Sequence, residues 1–388
     1  MDEEFLLLNP GPVPLSRDVR DVMSEPMVSH RSADFEETYA RLQDGLRYVF
    51  ERSSPTGEPT AAGGTPLALM GTATLGMEAA IASLTTEDSR VVTLENGKFG
   101  RRFSRIARRY ASVDTVTAEW GESPDIEEVR AAVDDRTDVV AMVHNETSTG
   151  LLNPVAEVGE IAAEHDARFV VDGVTSIGGD AFYLDEWGVD IAVTDAQKAL
   201  AAPPGLSAIY IADGAEGHLD SGGPPFYADL EWYSRKARDH QTPFTSAVPL
   251  VRGMGVAVEE IEAEGMPDRI ARHRRQARAI RAAVDAMGLE LFPTVKPPTR
   301  VSNTVTATSL PTTVEADEFF AGMDARNVSI AGGQGPLDGD IFRVSNMGNL
   351  SAEDIRRGVG AIAGALNDAS HGVDKDAALA AADAELAP

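Results

Sequence analysis

Apolar runs of strand length recur along the first part of the chain, at Pro66 to Met70, Arg90 to Leu94, Asp138 to Val143, Arg168 to Val171, Asp190 to Val193 and Leu206 to Ile211. Between most of them the apolar positions return at helical spacing, over Leu75 to Leu84, Arg101 to Tyr110, Ile126 to Val133 and Val155 to Glu164. Short runs that are apolar throughout suit strands buried on both faces. Their alternation with helical segments predicts an α/β fold with a largely parallel sheet. In such sheets ligands collect beyond the carboxyl ends of the strands.

The pattern then changes. A helical segment from about Val248 to Glu264 is followed by Pro267 and an arginine-rich helix from about Asp268 to Met287, which Gly288 closes. Strand-like Val301 to Thr308, a helix near Ala316 to Asp324, strand-like Val328 to Ala331 and Ile341 to Val344, and a helix from about Ala352 to Leu366 predict a smaller α+β domain. The division expected is an arm over 1–20, a large domain over 21–265, a small domain over 266–368 and a tail over 369–388 that is flexible or a loosely docked helix. The chain shows no internal repeat.

The 388 residues, 43% of them hydrophobic, can bury a sizeable core. No apolar stretch approaches the ~20 residues that span a bilayer. Met1-Asp-Glu-Glu lacks the basic start of a signal peptide, so a cytoplasmic protein without a membrane partner is expected. The net charge of -28 argues against a nucleic-acid partner, because phosphate binding needs clustered cations. Arg272, Arg274, Arg275, Arg278 and Arg281 are read as a solvated helix face pairing with nearby acids. Acidic residues are spread along the chain, and only five of the basic residues are lysines against 29 arginines. That balance predicts adaptation to high salt, where counterions screen self-repulsion. The absence of cysteine removes disulfides, thiolate metal sites and cysteine nucleophiles, and seven scattered histidines form no metal constellation.

The scarcity of lysine draws attention to Lys198, in the run Asp190-Ile-Ala-Val-Thr-Asp-Ala-Gln-Lys198 just past an apolar strand. Imine chemistry requires an amine, which a guanidinium cannot supply; the competing reading is a surface lysine on a loop. Asp172 ends the preceding apolar run, and together the two could hold and polarise a pyridine ring. Gly71-Thr72-Ala73-Thr74, between a strand and a helix, offers backbone donors and small hydroxyls to an anion, although threonine is also an ordinary N-cap. A G-x-G-x-x-G fingerprint, a Walker-type lysine loop and an H-E-x-x-H motif are all missing.

These residues, with Leu8-Asn9-Pro10-Gly11-Pro12, Glu146-Thr-Ser-Thr-Gly150, Val171-Asp-Gly-Val-Thr-Ser-Ile-Gly-Gly179, Gln197-Lys-Ala-Leu-Ala-Ala-Pro-Pro-Gly205, Gly332-Gly-Gln-Gly-Pro336 and Arg343-Val-Ser-Asn-Met-Gly348, occur in order over nearly the whole chain. The sequence resembles the class V pyridoxal-phosphate-dependent aminotransferases of fold type I, and within them the alanine-glyoxylate and serine-pyruvate group. The resemblance implies a large domain with a mostly parallel seven-stranded sheet. It makes Lys198 the covalent anchor of pyridoxal 5'-phosphate and Asp172 the partner of its ring nitrogen. Val174 is placed under the ring and Phe99 over it, where many relatives carry Trp; the competing reading of Phe99 is a core aromatic. The phosphate falls to Thr72, Ala73, Thr74 and Gln197, with Thr147 near the ring hydroxyl. The family's homodimer places Thr245 near the partner's phosphate, while Phe244 lacks the hydroxyl many relatives carry. Arg343 is implied as the grip on the substrate α-carboxylate, the competing reading being an edge-strand arginine, and Asn9 and Gly11 as the cover over the site. The activity implied is ping-pong transfer of an amino group from alanine or serine to glyoxylate or pyruvate. The alternatives are a class V transaminase for aspartate or another amine donor, or a cysteine-independent lyase, since persulfide chemistry needs a cysteine the chain lacks.

Overall fold

Seven strands form one sheet in the order Thr65–Met70, Leu206–Ile211, Ile191–Asp195, Arg168–Asp172, Val139–Val143, Arg90–Glu95 and Ser112–Thr117. The computed structural model describes residues 5–219, 223 and 225–387. Every pairing in the sheet is parallel except those of Leu206–Ile211, which runs antiparallel to both neighbours. The central strands are buried along their whole length, as continuous apolar runs require. Ser112–Thr117 is the exception. It closes one edge with four of its six residues polar and mostly exposed or half-buried, so it lacks the apolar run that marks its neighbours.

Helices Ala73–Leu84 and Lys98–Ala107 follow strands of this sheet, Val155–Glu164 precedes one, and all three pack on its core. Helix Ala33–Glu51 was not assigned from the sequence. It places Phe35, Tyr39, Leu42, Leu46, Val49 and Phe50 on one buried face at helical spacing, with charged residues on the other. It lies against helix Val248–Glu264, where a Cβ on Gly45 would fall 2.2 Å from Val258 Cγ2.

A second apolar cluster gathers Leu6 and Leu8 with residues from Ala279 to Ala382. Helix Met266–Ala286 joins the two: Met266 and Ile270 belong to the first cluster, and Ala279, Ile280, Ala283 and Val284 to the second. The expected strand over Val301 to Thr308 is split into Arg300–Val301 and Val305–Ser309, because the Ser302 hydroxyl accepts from the N–H groups of Thr304 and Val305 and turns the chain. Val305–Ser309 pairs with Ile341–Ser345, which also pairs with Ala331–Gly332. Val328–Ser329 pairs with Leu6–Leu7 instead, so the expected strand over Val328 to Ala331 serves two sheets.

The tail contains helix Lys375–Leu386, capped by Asp374. Ala378 and Ala382 are fully buried, and Arg278–Glu385 and Arg356–Asp383 ion pairs tie the helix down. The arginine-rich helix pairs with acids as expected: Arg272 with Glu264, Arg274 with Asp180 and Arg278 with Glu385. No helix among the described residues is long and apolar enough to cross a membrane.

Candidate active site

The carboxyl ends of the strands bring the candidate residues to one edge of the sheet. Asp172 is the last residue of its strand, Lys198 lies three residues beyond Asp195, Thr147 follows Val139–Val143, and Thr72 follows Thr65–Met70. Asp172 is 4% exposed, and its Oδ1 accepts from the Val174 N–H at 2.9 Å. Burial pushes its pKa up to about 7, against the pull of Lys198 and Arg102. Burial likewise lowers Lys198 to about 8, opposed by Asp195 and Asp172. A half-buried amine and a buried carboxylate therefore act on each other's charge.

The N-terminal arm closes over Lys198, whose Nζ donates to the Pro10 carbonyl. Gly11 has φ +88°, and a Cβ there would lie 2.8 Å from Lys198 Cδ, so glycine is needed both for the backbone and for the approach. Asn9 is turned aside: its Oδ1 accepts from Ser329 Oγ at 3.1 Å, which ties the arm to the second apolar cluster's sheet.

At the start of helix Ala73–Leu84, Thr72 is an exposed N-cap without a side-chain cap bond. Asp195 Oδ2 accepts from the Ala73 N–H at 3.0 Å and from Gln197 Nε2 at 2.7 Å, and burial pushes the Asp195 pKa up. Gln197 Oε1 is buried without a partner among the described residues. Arg102 Nη1 donates to Thr74 Oγ1 at 2.9 Å, and its guanidinium lies 4.9 Å from the Phe99 ring centre.

Glu146 organises the next turn. Its Oε2 accepts from the N–H groups of Phe99 and Gly100, each at 3.0 Å, and its Oε1 accepts from the Ser148 N–H at 3.1 Å. This carboxylate caps helix Lys98–Ala107, which starts three residues earlier than the spacing predicted. Phe99 is half-buried and packs against the main apolar core. Arg343 is buried, and donates to the Gly332 carbonyl through Nε and Nη2 at 3.0 and 2.7 Å and to the Thr147 carbonyl through Nη1 at 3.0 Å. Burial lowers its pKa to about 10. Thr147 Oγ1 hydrogen-bonds Thr175 Oγ1. Thr245 is exposed, and no hydrogen bond among the described residues brings it to this cluster.

The donor set fits pyridoxal phosphate. A buried carboxylate with a raised pKa is satisfied by a cationic ring N–H, which would draw that pKa down again. A phosphate at the Thr72–Thr74 turn would meet the Thr74 N–H and hydroxyl and the Arg102 guanidinium, while the Ala73 N–H stays on Asp195, whose raised pKa reduces the opposing charge. Sequence reasoning missed Arg102, Asp195 and Arg269. Arg269 is fully buried and holds the loop after Lys198, donating to the Ala199 carbonyl at 2.6 Å and the Gly178 carbonyl at 2.7 Å. Its position one helix turn before Arg272, at the start of the arginine run, hid it; only its apolar neighbours at helical spacing signalled a buried face. A separate cavity of about 420 Å³, lined by residues that include His144, Asp180, Trp187 and Arg274, contains none of the candidate cofactor or substrate residues.

The Aminotransferase class-V family profile matches residues 69–338. The chain is 35% identical over 359 residues to an uncharacterized aminotransferase of Methanocaldococcus jannaschii, covering 90% of this chain and 89% of that one. It is 31% identical to the L-aspartate–glyoxylate aminotransferase of Paracoccus denitrificans, over 88% and 86% of the two chains. The structure superposes on pyridoxamine-pyruvate aminotransferase from Mesorhizobium loti with a TM-score of 0.90 at 26% identity, covering 99% and 97%.

Proposed function

Since this chain belongs to the class-V aminotransferases, a pyridoxal-phosphate-dependent fold family, we propose that it binds pyridoxal phosphate at Lys198 and transfers amino groups from alanine or serine to glyoxylate or pyruvate. The observation that carries this reading is a half-buried amine, Lys198, held at Nζ by the Pro10 carbonyl of the arm and following the strand that pairs with the one ending in buried Asp172. The names of the two relatives above support glyoxylate and pyruvate as amino acceptors.

The cofactor would supply an electron sink for the pair left when a substrate loses its α-proton. Asp172 would accept from the ring N–H, with Val174 beneath the ring and Phe99 above it. The Thr72–Thr74 turn, Gln197 and Arg102 would hold the phosphate, and Thr147 would stand near the ring hydroxyl. The Lys198 amine, whose proton burial makes easier to lose, would carry the proton between the substrate α-carbon and the carbon that receives it. Arg343, held flat by two backbone carbonyls, would exchange those contacts for the planar α-carboxylate of the substrate. Pro10 and Gly11 would keep water from Lys198. Thr245 is assigned to the site of a second subunit, so a homodimer is the working assembly.

The test is the visible absorbance of the protein with pyridoxal phosphate, before and after alanine, serine or aspartate. A cofactor band that alanine or serine converts, and that glyoxylate or pyruvate restores, supports the assignment. Conversion by aspartate alone moves it to the alternative donor class. A band that no donor converts points to a cysteine-independent lyase, and the absence of any band overturns Lys198.

A further inference from the structure

Asp195 is the last residue of strand Ile191–Asp195, and its carboxylate sits where the candidate phosphate cradle should offer its donors. Its Oδ2 accepts from the Ala73 N–H at 3.0 Å, at the first residue of helix Ala73–Leu84, and from Gln197 Nε2 at 2.7 Å. Its Oδ1 accepts from the Ala196 N–H at 3.1 Å. Ala73 and Gln197 both belong to the expected phosphate cradle. Both donate to an anion that the chain itself supplies.

A cap that served stability alone would leave the chain's polar groups satisfied, and this one does not. Asp195 is 3% exposed, and burial pushes its pKa up in spite of its hydrogen bonds and the pull of Lys198. Gln197, with its amide nitrogen on Asp195, keeps a buried Oε1 that has no partner among the described residues. Arg102 reaches the same turn through Thr74 Oγ1 at 2.9 Å. A phosphate in this turn therefore gains one guanidinium and meets one carboxylate, and like charges oppose each other more strongly in a buried place than in water.

We propose that Asp195 is an intramolecular competitor of the cofactor phosphate, which withholds the Ala73 N–H and one N–H of Gln197 and sets a negative charge against the phosphate. The proposal rests on the pyridoxal phosphate reading. Its consequence is that the cofactor relies on its bond to Lys198 for retention. The aminated cofactor, pyridoxamine phosphate, lacks that bond and exchanges with solution.

The test titrates the full chain, stripped of cofactor, with pyridoxamine phosphate and with pyridoxamine, neither of which bonds to Lys198, by calorimetry at one fixed ionic strength. Asp195→Asn removes the charge and keeps the shape, and Asp195→Ala also frees both donors. Each variant is expected to bind pyridoxamine phosphate at least about tenfold more tightly than the parent, the scale of one charge-assisted contact. Pyridoxamine, which has no phosphate, should bind all three proteins alike. Pyridoxamine phosphate binding that is unchanged or weaker in both variants overturns the proposal, and so does an equal gain for pyridoxamine, which would show a general change in the site. Should Asp195→Ala fail to fold, Asp195→Asn decides. The cofactor reading is checked separately by adding pyridoxal phosphate: no visible band in the parent or either variant overturns that reading and this proposal together, whereas a band in the parent without the gain in the variants overturns this proposal alone.

Discussion

Lys198 works through its surroundings. With its pKa lowered from 10.5 to about 8, the free amine at neutral pH is enriched by a factor of about 300 over an ordinary lysine. The rate of pyridoxal phosphate uptake is therefore expected to rise with pH and level off just above pH 8; a rise that continues toward pH 10.5 would show an unperturbed lysine. Lys198→Ala should abolish both covalent uptake and turnover while circular dichroism and melting stay close to those of the parent. Substantial residual transamination would assign the chemistry to another lysine. Gly11→Ala tests the arm from the other side, since a methyl would meet Lys198 Cδ at 2.8 Å and oppose a φ of +88°. Strain of about 1–3 kcal/mol should lift the arm, and the loss should fall on kcat more than on melting temperature. An unchanged kcat would show that the arm does not govern the site.

Among the elements, helix Lys98–Ala107 depends on a cap from 40 or more residues away. Glu146 accepts from Phe99, Gly100 and Ser148, so Glu146→Ala would leave three N–H groups without their partner. The expected cost is on the order of 3 kcal/mol, and Glu146→Gln, which keeps an acceptor, should cost less. Chemical denaturation of the two variants measures the difference; equal stabilities would mean that water replaces the cap. Most strands and helices of the first part of the chain were legible because burial on both faces leaves apolar runs and burial on one face leaves helical periodicity, although helix Ala33–Glu51 carries that periodicity and was not assigned. Edge strand Ser112–Thr117 was not, because a strand exposed on its outer side carries no such run. The cap by Glu146 was hidden for a different reason: it joins residues far apart in sequence, and spacing along a helix cannot register it.

For the whole molecule, charge and the C-terminal helix set the expected behaviour. The net charge of -28 repels itself over distances that ~0.1 M salt screens to about 10 Å. Melting temperature is expected to rise steeply as potassium chloride is added from low concentration, and a flat profile would refute salt adaptation. Helix Lys375–Leu386 buries Ala378 and Ala382 in the second apolar cluster. Removing the chain after Ser370 should cost about 2–4 kcal/mol in chemical denaturation, through lost burial and the two ion pairs. No change in stability would mean that the tail only rests on the surface.

The sequence alone determined the alternation of strands and helices, the position of Asp172 at the end of one buried strand and of Lys198 just past another, and the family resemblance, since each is written in runs and motifs of neighbouring residues. The tertiary structure decided how these are used. It brought the Pro10 carbonyl onto Lys198, set Asp195 on the Ala73 N–H, aimed Arg102 at Thr74 and buried Arg269 behind the loop after Lys198. The reason is physical: burial imprints a local periodicity on the chain, whereas contacts between distant segments depend on how the layers pack, and no local pattern encodes that.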